Sequence, residues 1–122
     1  SLNVYMGRFT DKEGNKLLAG TVLYDGSTSE NFTLSDSVDN YEYIQVFYRP
    51  HSTLGQQTQM MIVGKTTTMH LSAVQTISGV TTVYRCQMQF NDKTVTLSGR
   101  TQVINGGSTD GIEAIIFRVI GY

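Results

Sequence analysis

Apolar and polar residues alternate along most of this chain, and this alternation constrains the fold more than any other feature. In residues 80–90, Tyr84, Cys86, Met88 and Phe90 occupy even positions, and the odd positions between them are Arg, Gln and Gln. Successive side chains of a β-strand point to opposite faces, so a period of two gathers the apolar residues on one face. No window shows the three-and-four spacing of an amphipathic helix. The sequence therefore predicts an all-β protein.

Turn-forming residues divide the chain into short strands. Pro50, the only proline, is expected to end a strand because it cannot donate a ladder hydrogen bond. Asp25-Gly26, Ser78-Gly79 and Asn91-Asp92 are expected as turns, and Gly14-Asn15 as a hairpin tip. The expected strands cover residues 16–24, 31–34, 41–49, 57–63, 69–77, 80–90, 94–97, 101–104 and 111–122, with a hairpin at 105–111. Strands at this spacing predict an antiparallel β-sandwich, jelly-roll-like in type.

The most apolar stretch is the last one, residues 111–122. Its β-branched and aromatic residues suit a pleated surface that is covered on at least one face. We therefore expect a core strand there, with nothing functional beyond it. A chain of 122 residues is one domain on length alone. Because it opens at Ser1, we expect residues 1–122 to be a single domain that forms the C-terminal head of a longer chain.

Composition excludes several kinds of partner. Nine Lys and Arg balance ten Asp and Glu, for a net charge of −1. Binding to a nucleic acid or to an anionic membrane surface needs clustered Lys and Arg residues, and the sequence contains no such cluster. No apolar run approaches the roughly 20 residues of a membrane-spanning helix. We expect no nucleic-acid partner and no membrane partner.

Motifs for catalysis or cofactor binding are absent from the sequence. It has no glycine-rich phosphate loop, no paired-cysteine metal spacing and no nucleophile elbow. The lone Cys86 is interpreted as a small core hydrophobe. Asp36 and Asp39 lie in a turn-like segment, where they could hold calcium or, more commonly, cap turns through their oxygens. The sequence thus predicts no enzyme, no cofactor and no metal site.

Tyrosines and amides are the most informative polar residues. A tyrosine offers a ring face for stacking and a hydroxyl for hydrogen bonding, and amides add directional bonds, which together suit sugars. The same tyrosines can equally be packing residues in a domain without tryptophan. The polar face at residues 85, 87 and 89 can be solvated, or it can pair with another copy of itself across a symmetry axis.

Three segments, residues 23–27, 32–49 and 113–122, carry a resemblance. They include Leu-Ser-Asp-Ser-Val at 34–38, an aromatic strand, and a closing Ile-Gly-Tyr. Together they resemble the C-terminal domain of tail or baseplate proteins from phages and prophages of Gram-positive bacteria, of the streptococcal and lactococcal type. The resemblance implies a β-sandwich receptor-binding head in an extracellular virion. It further implies a homotrimer that binds host cell-wall saccharide and joins other tail or baseplate proteins through a preceding N-terminal part.

The family supplies no binding motif, so the candidate site rests on residue chemistry. Loops at one end of a sandwich are the usual place for binding residues, and we expect the site near Pro50. The saccharide-binding candidates are Tyr41, Tyr43, Arg49, His51 and Gln57. Two alternatives stay open: a virion structural or trimerisation domain without a ligand, and a carbohydrate-binding module of a secreted enzyme, which the lack of tryptophan makes less attractive.

Overall fold

Two antiparallel sheets pack face to face around the core in a computed structural model. It describes residues 20–104 and 114–122 fully, and the course of the backbone at 3–5, 8–10 and 107–110. The strands are β1 Asn3–Tyr5, β2 Arg8–Thr10, β3 Thr21–Thr28, β4 Phe32–Thr33, β5 Tyr43–Arg49, β6 Gln57–Ile62, β7 Thr68–Ile77, β8 Val80–Asn91, β9 Thr94–Ile104, β10 Gly107–Asp110 and β11 Ile115–Gly121. One sheet has the strand order β3-β11-β5-β6; the other has the order β10-β9-β8-β7, with β4 paired to β9, and β1 pairs with β2. The predicted all-β sandwich is confirmed.

The core is built by the inward side of the alternation, as the sequence predicts. On β5 the buried residues are Ile44, Val46 and Tyr48, and on β8 they include Cys86 and Met88. Side chains from the two inner faces meet in one cluster. The period-two pattern therefore predicts correctly which face of each strand is covered.

The closing strand lies inside its sheet, between β3 and β5. Ile116 and Val119 on β11 are fully buried. Pairing on both edges satisfies the backbone groups of β11, and the opposite sheet covers its inner face. The prediction of a core strand in this segment is confirmed for residues 115–121; residues 111–113 lie outside the described part of the chain.

Several predicted turns are confirmed. Ser78 and Gly79 both have positive φ, 51° and 78°, and join β7 to β8 directly. Asp92 has φ 57° in the turn between β8 and β9. β5 ends at Arg49, immediately before Pro50. The strand pairing of 101–104 with 107–110 fits the hairpin expected there.

Two predicted breaks are wrong, and the same physical reason applies to both. Asp25-Gly26 is not a turn, because β3 continues to Thr28 and shifts its register against β11 near Arg118. Residues 94–104 form one strand, with Gly99 at φ 55° beside a register shift against β8. A bulge absorbs an irregular residue and lets the strand continue. Gly14-Asn15 and residues 16–19 lie outside the described residues.

The link before β5 is a capped turn. One oxygen of the Asp36 carboxylate accepts hydrogen bonds from the Ser37 N–H at 2.8 Å and the Asn40 side-chain amide at 2.9 Å. The other accepts from the Tyr41 hydroxyl at 2.9 Å. These bonds hold the pKa of Asp36 below its ordinary value of 3.8, with the Tyr41 bond contributing most. Of the two roles open to Asp36, the structure shows it capping the turn.

Candidate functional site

The five predicted site residues lie at two ends of β5. Tyr43 and Arg49 are the first and last residues of this seven-residue strand, which places them about 20 Å apart at the usual rise per residue. Tyr41 precedes the strand and packs against Gly121. The expectation that all five lie near Pro50 is therefore wrong for Tyr41 and Tyr43. An extended strand separates its two ends, and sequence proximity hides that distance.

At the Pro50 end, the loop after β5 contacts the opposite sheet. The His51 ring stacks on the Tyr84 ring, with centroids 4.7 Å apart and planes 24° from parallel. The His51 Nδ1 lies 2.9 Å from the Thr53 hydroxyl oxygen. The oxygen of the Gln75 side chain accepts from both the Thr53 hydroxyl, at 3.0 Å, and the Tyr84 hydroxyl, at 3.2 Å. We name His51, Thr53, Gln75 and Tyr84 the Pro50 cluster.

The Pro50 cluster lies at an open end of the sandwich. Thr53 is exposed, and His51 and Gln75 are half-buried, while Tyr84 is buried beneath them. The buried Tyr84 ring supports the His51 imidazole, and the groups that reach the surface are the imidazole, the Thr53 hydroxyl and the Gln75 amide. These groups can exchange hydrogen bonds with the hydroxyl groups of a ligand.

Gln57 and Arg49 lie at the same end of β5 but in different surroundings. The Gln57 side-chain oxygen accepts from the Tyr48 hydroxyl at 3.4 Å, on the inner side of the sheet. Burial raises the pKa of Tyr48. Arg49 lies on the outer face, with its guanidinium carbon 5.9 Å from the centre of the Phe117 ring. Its buried Nε has no hydrogen-bond partner among the described residues. Of the five predicted residues, only His51 belongs to the Pro50 cluster.

Sequence reasoning missed how Thr53, Gln75 and Tyr84 come together. Tyr84 was recognisable as a tyrosine on an inward-facing position, and it is buried as the alternation predicts. Nothing in the chain order links it to His51, because His51 lies in the loop after β5 and Tyr84 lies in β8 of the opposite sheet. No alternation or motif marks Thr53 as a site residue, since it lies in a polar loop. Only the packing of the sheets reveals the cluster.

A second concave feature crosses the outer face of the other sheet. This sheet groove, about 350 Å³ in volume, runs over β7, β8 and β9. Five of the lining residues carry polar side chains, Gly99 carries none, and Leu71 and Cys86 are apolar. The groove is lined by His70, Leu71, Ser72, Arg85, Cys86, Gln87, Gly99 and Thr101.

Among the described residues, the one cysteine is buried and no cluster of metal-ligating side chains occurs. Cys86 is buried, and burial raises the pKa of its thiol to about 11. Its thiol therefore stays protonated at neutral pH, which is unfavourable for a nucleophile. Within residues 20–104 and 114–122, no group of three His, Cys, Asp or Glu residues is placed to hold a metal ion. Over the same part of the chain, no helix is long and apolar enough to cross a membrane.

Comparison with known proteins gives no relative to guide the assignment. No protein-family model matches the chain, and no curated protein matches it.

Proposed function

We propose that this chain is a non-catalytic receptor-binding head that adheres to host cell-wall saccharide. The observation that carries the proposal is the Pro50 cluster, where a stacked pair of rings meets hydroxyl and amide groups at an open end of a β-sandwich. Loops held at the end of a rigid sandwich are a common place for binding residues. The resemblance of residues 23–27, 32–49 and 113–122 to phage tail proteins adds the biological setting, an extracellular virion.

Recognition in this proposal is shallow. The sugar ring lies against the exposed edge of the His51 imidazole, and its hydroxyl groups exchange hydrogen bonds with Thr53 and Gln75. Each such bond contributes about 0.5–1.5 kcal/mol, because it replaces a bond to water. Binding at one site is accordingly weak. Several copies on one virion, in a homotrimer or a larger array on the tail, raise the avidity by about 10²–10⁴ without new contacts.

The test uses alanine variants and a panel of purified cell-wall polysaccharides from Gram-positive bacteria on an array. His51→Ala and Gln75→Ala should each lower the signal for the recognised polysaccharide, and the double variant should abolish it. Tyr43→Ala is the matched control, because Tyr43 is an aromatic residue, 43% exposed, at the opposite end of β5. Retained binding in the double variant, with unchanged folding, would place the site elsewhere.

A second candidate function is assembly without a ligand, and one observation favours it. The outer face of the sheet β3-β11-β5-β6 exposes large apolar side chains, with Val22 51%, Met60 54% and Ile62 52% exposed. Val22 and Met60 lie in one cross-strand row with Ile120 and Gln45. Clustered exposed apolar groups commonly mark interaction surfaces.

The occupant proposed for this face is a second copy of the chain. Light scattering should then show that the wild-type chain is an oligomer and that the Met60→Glu variant is a monomer. A monomeric wild-type chain at high concentration would remove this alternative. It would leave the saccharide proposal intact, because the Pro50 cluster is built from one chain.

A further inference from the structure

The sheet groove has the geometry of a built surface. Strand pairing places Ser72, Arg85 and Thr101 in one row across β7, β8 and β9, and His70 beside Gln87 in a neighbouring row. Adjacent strands lie about 4.8 Å apart, so a three-residue row spans about 10 Å. The side chains on β7 and β8 point away from the core, since the residues that alternate with them are buried or half-buried. Thr101 pairs with Arg85, but its hydroxyl oxygen is buried. The groove therefore presents a short polar track to solvent.

Gly99 explains why a groove exists on this otherwise continuous face. It has φ 55° and lies at the register shift opposite residues 85–87. A Cβ added there would have the Gln87 Cβ as its nearest neighbour, at 3.9 Å. The space above Gly99 is thus open because no side chain fills it. Beside it, the buried hydroxyl oxygen of Thr101 has no hydrogen-bond partner among the described residues.

The charge along this track is positive. Arg85 is exposed and forms no ion pair with any described residue. The ion pair found among the described residues joins Arg118 to Asp25, in the other sheet. None of the described residues that line the groove is acidic. A second concavity, of about 400 Å³, adjoins the first at His70 and extends to Lys65. The two concavities together form a path that carries Lys65, His70 and Arg85.

We propose that this path binds an extended acidic glycan, a polysaccharide with phosphodiester or carboxylate groups at intervals. This inference rests on the proposed function, because it assigns the charge of the saccharide and a second contact surface for it. Arg85 pairs with an anionic group, and Gln87 and Ser72 meet the neighbouring hydroxyl groups. A nucleic acid fits less well, since His70 supplies the one ring among the described lining residues of the two concavities, whereas single-stranded nucleic acids bind on a series of aromatic rings.

The experiment measures binding of the whole chain by calorimetry to four polymers. These are poly(glycerol phosphate), polygalacturonate, neutral dextran and single-stranded DNA. Poly(glycerol phosphate), polygalacturonate or both should bind more tightly than dextran and DNA. The affinity should fall as the salt concentration is raised. Which of the two binds distinguishes phosphodiester from carboxylate recognition.

Two variants and one control assign this binding to the groove. Arg85→Gln should weaken binding about tenfold, the factor that matches one lost hydrogen bond to a charged group. Gly99→Asn should weaken it too, because asparagine tolerates positive φ and its side chain fills the open space. Lys93→Gln removes a cation from the turn between β8 and β9, outside the lining of both concavities, and should leave binding unchanged.

Failure of this inference is distinguishable from failure of the proposed function. If neutral cell-wall polysaccharide binds through His51 while both acidic polymers bind no better than dextran, the inference is overturned and the receptor-binding proposal stands. Equal affinity for DNA and for the acidic polymers would also overturn it, since that result indicates a general anion surface. If no saccharide binds at all, both proposals fall.

Discussion

The imidazole of His51, in the loop after β5, stacks on the ring of Tyr84 in the opposite sheet, with centroids 4.7 Å apart. His51 follows β5, which ends just before Pro50, and Tyr84 is a buried residue of β8. The position of the candidate binding loop is therefore coupled to the packing of the two sheets. Stability of the core and geometry of the loop depend on the same contacts.

The central position of β11 predicts a large cost for truncating its buried side chains. Ile116→Ala should lower the free energy of unfolding by about 2–5 kcal/mol, since it removes buried methylenes and leaves a cavity. Ile62→Ala is the matched control, because Ile62 is 52% exposed and exposed substitutions usually change stability by about 0.5 kcal/mol or less. Urea unfolding monitored by circular dichroism measures both. Equal losses in the two variants would contradict the central placement of β11.

Gly121 is expected to be intolerant of any side chain. A Cβ at this position would lie 2.6 Å from Cγ of the Tyr41 ring. Gly121→Ala should therefore cost about 1–3 kcal/mol, as overpacking of a filled site does. Gly55→Ala is the control, because nothing lies within 4 Å of a Cβ there. Thermal unfolding compares the two, and a melting temperature of Gly121→Ala equal to the wild type would contradict this close packing.

The Asp36 turn predicts a specific dependence of stability on acid. Hydrogen bonds from Tyr41, Ser37 and Asn40 lower the pKa of Asp36 in the folded chain below its ordinary 3.8. A lowered folded-state pKa contributes stability above the unfolded-state pKa and loses it as the pH falls through the folded-state pKa. Asp36→Asn should thus be less stable than wild type at pH about 6, and the difference should shrink as the pH falls below about 4.

Urea unfolding at a series of pH values measures this difference. The control is Asp39→Asn, which changes the same charge in the same turn but leaves the hydrogen bonds of the Asp36 carboxylate in place. A gap between Asp36→Asn and wild type that stays constant down to pH about 2 would contradict the role of the carboxylate.

Cys86 should be unreactive in the native protein. Its thiol is buried, and burial raises its pKa to about 11, so little thiolate forms at pH about 8 and reagents have no access. Labelling with a thiol-specific disulfide reagent should be slow in buffer and fast and stoichiometric in concentrated urea. Fast labelling of the folded chain would contradict the core position of this residue.

The parts of the fold that follow from the two-residue alternation of apolar and polar residues were predictable. Burial of Val46 and Met88 follows directly from alternation, and Pro50 marks a strand end because it lacks an N–H. The breaks expected at Asp25-Gly26 and around Gly99 are wrong. Glycine and aspartate favour turns and bulges alike, and the partner strand decides between them.

The candidate site was predictable only in part. His51 lies in a loop at one end of the sandwich, where binding residues commonly occur, and the structure places it in the Pro50 cluster. Its neighbour Tyr84 comes from the opposite sheet, and sequence order gives no register between sheets. The groove at Arg85 depends on the strand pairing that aligns Ser72 and Thr101 with it. The polar face of this strand was visible in the sequence, but the row across three strands was not.

The most direct test of the receptor-binding proposal is decoration of Gram-positive cells by the fluorescently labelled chain. The proposal predicts that cells of a host strain are stained, that their purified cell-wall polysaccharide competes the staining away, and that His51→Ala with Gln75→Ala removes it while Tyr43→Ala does not. Absence of staining on every strain in a broad panel, by a chain shown to be folded, would contradict the proposal.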